Sequence, residues 1–307
     1  MQNRLSPQNL TPYLFILPAA VVLVVGLIVP VGNALYMSFF DWDMGTSWDE
    51  AKNIGWDNYV RMLWNDPSIW KSVWVTVKYT FWTTLIEMIV GIGLALALEK
   101  PIRGAAFFRT IFILPLMMSP LIVGLIWRYM LDGRTGVFTY YIDQLGRSFP
   151  FLQEYGFVRT GYLAEVSSAL PTAIGVDVWQ WTPFIFIIIL AGLQGLPDDV
   201  IKAAYIDGAN WWQMTMQIKL PMIFPLIIVT LLMRLIDVLR ALEVLFIMTF
   251  GGPAASTEVL SLKIYKTAFE SRDLGYASSI SMLLISITLI LSLVILFYSN
   301  PMQQEDR

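Results

Sequence analysis

The chain has 307 residues, of which 57% are hydrophobic and 14% charged, with a mean hydropathy of +0.63. Soluble proteins average roughly 45–50% apolar and about 25% charged residues, so this is the composition of a membrane protein. A net charge of −3, from 20 Lys and Arg against 23 Asp and Glu, gives no basic surface for nucleic acid.

A helix crossing roughly 30 Å of hydrocarbon needs about 20 apolar residues, and six stretches meet that length: 12–36, 73–98, 104–131, 171–194, 222–249 and 279–299. The expected fold is therefore all-α and polytopic, one transmembrane domain over 1–307. The first stretch and the last carry no charge. The apolar run from Tyr13 to Tyr36 is longer than the 7–15 residues or so of a signal peptide's core, so it reads as a retained anchor. The second span holds Lys78 and Glu87, the third Arg109 and Arg128, the fourth Asp177, and the fifth Arg234, Asp237, Arg240 and Glu243. Pro115, Pro120, Pro183 and Pro225 predict kinks within spans.

An even number of spans puts both termini on one side. Arg4, with Lys100, Arg103 and Arg109, favours the cytoplasm for the N-terminus and for 99–109. A count of Lys and Arg over all loops does not decide the orientation. The longer loops on the opposite side, 37–72 and 132–170, are acidic and rich in Trp, Tyr and Gly. Interfacial anchoring accounts for aromatic residues such as Trp42, Trp48 and Trp64.

Between the fourth and fifth spans, 195–221 is dense in helix signals. Pro197 suits a first turn, and Asp198 and Asp199 complement the positive end of the helix dipole. Ile201, Ala204 and Tyr205 share a face. Gly208 is a natural stop, and Asn210 with Gln213 forms the pattern of a capping box for a second helix ending before Pro221. Helix, glycine turn and helix would lie at the membrane surface, and periodicity alone fits a simple interfacial connector equally well.

An ionised side chain at mid-helix costs about 2.5–3.5 kcal/mol on insertion scales, so the four charges from Arg234 to Glu243 face inward. Their spacing predicts i, i+3 pairs, Arg234 with Asp237 and Arg240 with Glu243. These are either local ion pairs that let the helix insert or the polar lining of a solute path.

Chemistry carried by this chain alone is sharply limited. With no Cys and no His, disulfides, thiolate or imidazole metal sites and Cys- or His-based catalysis are excluded. No Gly precedes a Lys, so the phosphate-cradling Gly-x-x-x-x-Gly-Lys loop is missing too.

Residues Lys202-Ala203-Ala204, Asp207-Gly208-Ala209 and Ile218-x-Leu220-Pro221 resemble the "EAA" coupling loop of ATP-binding-cassette importer permeases. Downstream, Thr249-Phe250-Gly251-Gly252-Pro253, Ser256-Thr257 and Gly275-Tyr276-Ala277 resemble the sugar-importer branch typified by maltose permeases. The resemblance implies a type I importer permease with six spans and a cytoplasmic coupling helix pair, sited in the bacterial inner membrane with both termini cytoplasmic. Implied partners are a second, similar permease, two cytoplasmic ATPase subunits that hold ATP and Mg, a periplasmic binding protein, and membrane lipid. This chain itself would bind no cofactor or metal and would not be an enzyme. Lys202 and Thr215 depart from the family's usual Glu and Phe.

Counting from the two motifs, the resemblance carries solute contacts onto Asp177, Gln180 and Trp181 in the fourth span. In the fifth it reaches Arg234, Val238 and Ala241, beside the charged Asp237 and Arg240. Carboxylate, amide and indole suit a sugar's hydroxyls and apolar face, and Arg234 admits an acidic sugar derivative or polyol phosphate. An ion-coupled secondary transporter or channel is the alternative.

Overall fold

The computed structural model describes residues 7–99, 104–149 and 161–299, and Arg4, Lys100 and Arg103 lie outside them. The helices are α1 (Pro7–Leu23), α2 (Val29–Met37), α3 (Pro67–Ala97), α4 (Ala105–Ile113), α5 (Pro120–Met130), α6 (Val137–Ser148), α7 (Val166–Gln194), α8 (Asp198–Ile206), α9 (Trp211–Met222), α10 (Phe224–Leu239), α11 (Glu243–Met248), α12 (Leu260–Phe269) and α13 (Leu274–Ser299). Four stretches are each long and apolar enough to span a bilayer: Phe15–Met37, Pro67–Ala97, Val166–Gln194 and Leu274–Phe297. Two bent pairs, Phe107–Met117 with Pro120–Met130 at 98° and Trp211–Met222 with Phe224–Met248 at 66°, raise the number to six if each pair counts as one span.

The bends have local causes. Met118 and Ser119 are extended because Pro120 disfavours helical geometry in the residue before it, and Pro120 then begins α5. Pro115 and Pro225 also sit at the starts of helical stretches, so of the four proline kinks expected only Pro183 is interior to a helix, joined there by Pro171. The expected span 222–249 is likewise interrupted: α10 ends at Leu239 and α11 starts at Glu243.

The chain divides into two compact units, Met1–Pro67 with Ile264–Ile285, and Ser68–Lys263 with Ser286–Arg307. In the first, strands β1 (Phe40–Asp41) and β2 (Lys52–Asn53) pair antiparallel, Phe40 opposite Asn53. Asn58 donates its amide to the carbonyls of Ser38 and Phe40, both at 3.0 Å. Arg61 lies over the Tyr276 ring at 3.9 Å and pairs with Asp273 at 2.8 Å, while the Tyr276 hydroxyl donates to Asp66. A Cβ on Gly275 would lie 1.9 Å from the Phe40 oxygen, which is why glycine precedes that tyrosine.

The second unit packs α3, α7 and α10 around two apolar clusters. One contains Val75, Tyr79, Ile174, Val238 and Leu245, the other Met88, Ile185, Phe186, Ile189 and Ile223. Gly91 lets α3 approach α7 closely, since a Cβ there would fall 2.7 Å from Ile185, the use small residues have where membrane helices cross. Thr249 and Thr257 share a 2.7 Å hydroxyl contact, and Thr257 also donates to the Gly252 carbonyl. Those bonds close the turn of the Thr-Phe-Gly-Gly-Pro motif.

Candidate functional site

A cavity of about 390 Å³ opens between α3, α7 and the α10–α11 junction, lined by Tyr79, Pro120, Asp177, Trp181, Arg234, Asp237, Arg240 and residues 241–244. Of the eight positions that the sequence marks for the solute path, six therefore meet at one place: Asp177, Trp181, Arg234, Asp237, Arg240 and Ala241. Gln180 does not. It is buried, and its amide donates to the Met118 carbonyl at 3.1 Å, satisfying a group left free by the break before Pro120. Ala241 lines the cavity, whereas Val238 is buried in the apolar cluster beside it.

The expected Arg234–Asp237 pair is corrected by the structure. Arg234, only 2% exposed, donates Nε to Glu87 Oε2 at 2.6 Å and Nη2 to Glu87 Oε1 at 2.8 Å. Its Nη2 also lies 3.1 Å from Asp177 Oδ2, which accepts from the Tyr79 hydroxyl at 2.9 Å. A planar guanidinium matches a carboxylate in bidentate fashion, and at full burial that geometry outweighs the proximity of a residue one turn along. Arg240, at the end of α10, pairs instead with Asp237 at 3.0 Å. Glu243 belongs to the first turn of α11, where a carboxylate complements the helix dipole, so the Arg240–Glu243 pair does not form.

Trp181 presents its ring 4.8 Å from the Arg234 guanidinium. Sequence reasoning placed Glu87 in a span without giving it a role and passed over Tyr79. The available signal was that Glu87 is the lone acid between 73 and 98, an expense in lipid that requires a partner. Taken as ionised, the cavity wall has three carboxylates against two guanidiniums, with Glu87 behind Arg234. It offers an aromatic face, many acceptors and a negative balance.

Between the fourth and fifth spans, α8 ends at Ile206 and Gly208 turns the chain at φ +80°. The Ala209 amide reaches back to the Ala204 carbonyl at 3.0 Å. The capping box forms, with Gln213 N donating to Asn210 Oδ1 and Asn210 N to Gln213 Oε1, both at 2.9 Å. The second helix then continues through Pro221 to Met222 by way of a wider π turn, Met214–Lys219, rather than stopping before the proline. Ala204 is buried, Ala209 is half-buried, and Lys202, Ala203, Asp207 and Gly208 are exposed. Tyr205, on the same helix face as the buried Ala204, is exposed together with Ile206, Trp211 and Trp212. Lys202 makes only a 3.6 Å contact with Asp198, and Thr215 is fully buried.

Broken and continuous apolar helices around a polar cavity, followed by an exposed helix–turn–helix, define a solute-translocating subunit of a membrane transporter. The chain belongs to the family of binding-protein-dependent transport system inner membrane components, whose model matches residues 88–300. It is 33% identical over 285 residues to a trehalose/maltose transport system permease protein of Thermococcus litoralis, covering 93% of this chain and 91% of that one. It is 29% identical over 296 residues to an sn-glycerol-3-phosphate transport system permease protein of Brucella suis, covering 95% of each. Its fold matches a chain in the crystal structure of a bacterial ABC transporter involved in the import of the acidic polysaccharide alginate, with TM-score 0.77, 23% identity and 96% of each chain covered. The fold is thus that of type I ABC importer permeases. The chain is a membrane-embedded translocation subunit of an ABC importer, not an enzyme.

Proposed function

We propose that this permease passes a neutral, hydroxyl-rich solute of the sugar class through the cavity at Asp177, Trp181, Asp237 and Arg240. The observation that carries the reading is the charge around Arg234: its Nε and Nη2 are taken by Glu87 and Asp177, so two carboxylates already face the one guanidinium. The negative balance of the wall points the same way, against the acidic derivative or polyol phosphate that Arg234 admitted from sequence. Trp181 supplies the stacking face and the carboxylates accept from hydroxyls. The trehalose/maltose relative supports a sugar, while family membership sets aside an ion-coupled secondary transporter.

In this reading a second permease completes the membrane unit, and two ATPase subunits bind ATP and Mg and dock on 198–220. A periplasmic binding protein delivers the solute to the acidic loops 37–72 and 132–170. Both termini are cytoplasmic and the membrane is the bacterial inner membrane. The exposed collar of Tyr205, Ile206, Trp211 and Trp212 provides apolar area for the ATPase contact.

The test is ATPase stimulation of the complex purified from its native membrane, with neutral sugars including trehalose and maltose compared with uronates and sugar phosphates. Neutral sugars are expected to stimulate, and Trp181→Ala to raise the half-saturating concentration about tenfold, the scale of one lost stacking contact. Stimulation by anions alone, or an unchanged response in both Trp181→Ala and Asp237→Asn, refutes the assignment.

A further inference from the structure

Lys219 lies in the π turn of α9, at the base of the transmembrane unit, with a side chain only 9% exposed. Its ammonium is held by the carboxylate of Glu99, itself 12% exposed and two residues beyond the end of α3. An ammonium buried this far persists only with a partner, so the pair fixes the second coupling helix to the foot of α3. Arg109 of α4 grips the same foot, donating Nη2 to the Leu98 carbonyl at 2.9 Å.

α3 is suited to carry force. It runs for 31 residues with no proline after Pro67, about 46 Å at 1.5 Å per residue, whereas α7 contains two prolines and the α9–α10 arm bends by 66°. Glu87 stands ten residues before Ala97, about 15 Å up the helix, and Tyr79 lies further on. There Glu87 holds Arg234 of α10. Two ionic clasps thus join α3 to the α9–α10 arm, one at the foot and one at the cavity, closing a ring through α9, Glu99, α3, Glu87, Arg234 and α10.

We propose that the Lys219–Glu99 clasp makes α3 move as one body with the α9–α10 arm, so that displacement of the coupling segment reaches Tyr79 and Glu87 at the cavity through an unbroken helix. The proposal rests on the coupling reading of 198–220. Lys219 and Glu99 act as positioning residues and do not touch solute.

The experiment uses the complete complex in proteoliposomes and reads solute taken up per ATP hydrolysed, a ratio that a purely structural defect does not change in complexes that assemble. Lys219→Met and Glu99→Gln are each expected to lower the ratio about tenfold, and the exchange Lys219→Glu with Glu99→Lys to restore it. Should the single variants fail to assemble, Lys219→Cys with Glu99→Cys tests the same point, because the chain has no cysteine of its own. A short, reducible methanethiosulfonate cross-link is expected to preserve uptake per ATP, and reductant to lower it. Wild-type ratios in the single variants, failure of the exchange to restore the ratio, a linked complex that is arrested, or a ratio indifferent to linking overturns the proposal. Gly208→Val is run alongside: normal uptake in that variant would condemn the coupling reading itself, whereas its loss with unaffected Lys219 variants would condemn only the clasp.

Discussion

Replacing Arg234 by Met removes the one cation at the centre of the buried cluster. Its guanidinium is shared by Glu87 at 2.6 and 2.8 Å and by Asp177 at 3.1 Å. Removing one partner of a buried ion pair costs about 3–5 kcal/mol, because the other charge is left without compensation, and here two carboxylates are stranded. The reciprocal changes are unequal to it. Glu87→Gln or Asp177→Asn leaves one acid facing one base, with an amide oxygen still placed to accept, so each costs about 1–1.5 kcal/mol, the scale of a single net hydrogen bond. Unfolding in mixed detergent micelles, followed by tryptophan fluorescence, measures the difference. A gap of about 2–3 kcal/mol is roughly 30- to 150-fold in the unfolding equilibrium constant. Equal losses for Arg234→Met and Glu87→Gln would show that the cluster carries no excess negative charge and would remove the argument for a neutral solute.

Gly208→Val forces a β-branched residue to a φ of +80°, a strain of about 1–2 kcal/mol; membrane-fraction yield is expected to hold while solute-stimulated ATPase activity disappears. Gly275→Ala places a methyl group 1.9 Å from the Phe40 oxygen that Asn58 also holds, and a loss of about 1–3 kcal/mol or more is expected, read as faster proteolysis between residues 38 and 67. Lys202→Glu, at an exposed side chain with a 3.6 Å contact, is expected to change stability by less than about 0.5 kcal/mol. Its effect on ATPase assembly should shrink as salt rises, and an effect constant across salt concentrations would argue against an electrostatic contact.

Much of this arrangement was legible in the residues, for reasons that also mark the limits. Apolar length announces spans, and Asn210, Gln213 and Gly208 act within one or two turns, so the helix–turn–helix of α8 and α9 follows from local chemistry. Asp177, Trp181 and Arg234 follow from counting along the resemblance's two motifs, and for Arg234 also from the cost of a charge within a span. The partners were misread because periodicity sees neighbours along one helix, whereas Glu87 and Arg234 are 147 residues apart. The interruption at 240–242 has no proline or glycine to announce it. Gln180 has the composition of a sugar ligand, yet its partner is a main-chain carbonyl released by a bend that proline chemistry foretells only at Pro120.

The first apolar segment, Phe15–Met37, is 23 residues long and none of its apolar window is buried against the rest of the chain. At about 1.5 Å per residue it measures about 35 Å, against roughly 30 Å of hydrocarbon, so it is long enough to span with some tilt, one of the ways in which hydrophobic mismatch is relieved. Its far end runs into the mutually tilted, contacting rings of Tyr36, Phe40 and Trp48. Acyl-chain length therefore becomes a variable at that end of the segment: a thicker bilayer stands the segment upright and a thinner one lays it over, with the aromatic platform following. Orientation in this part of the molecule is set by the surrounding membrane and by neighbouring subunits, beyond the reach of its own sequence.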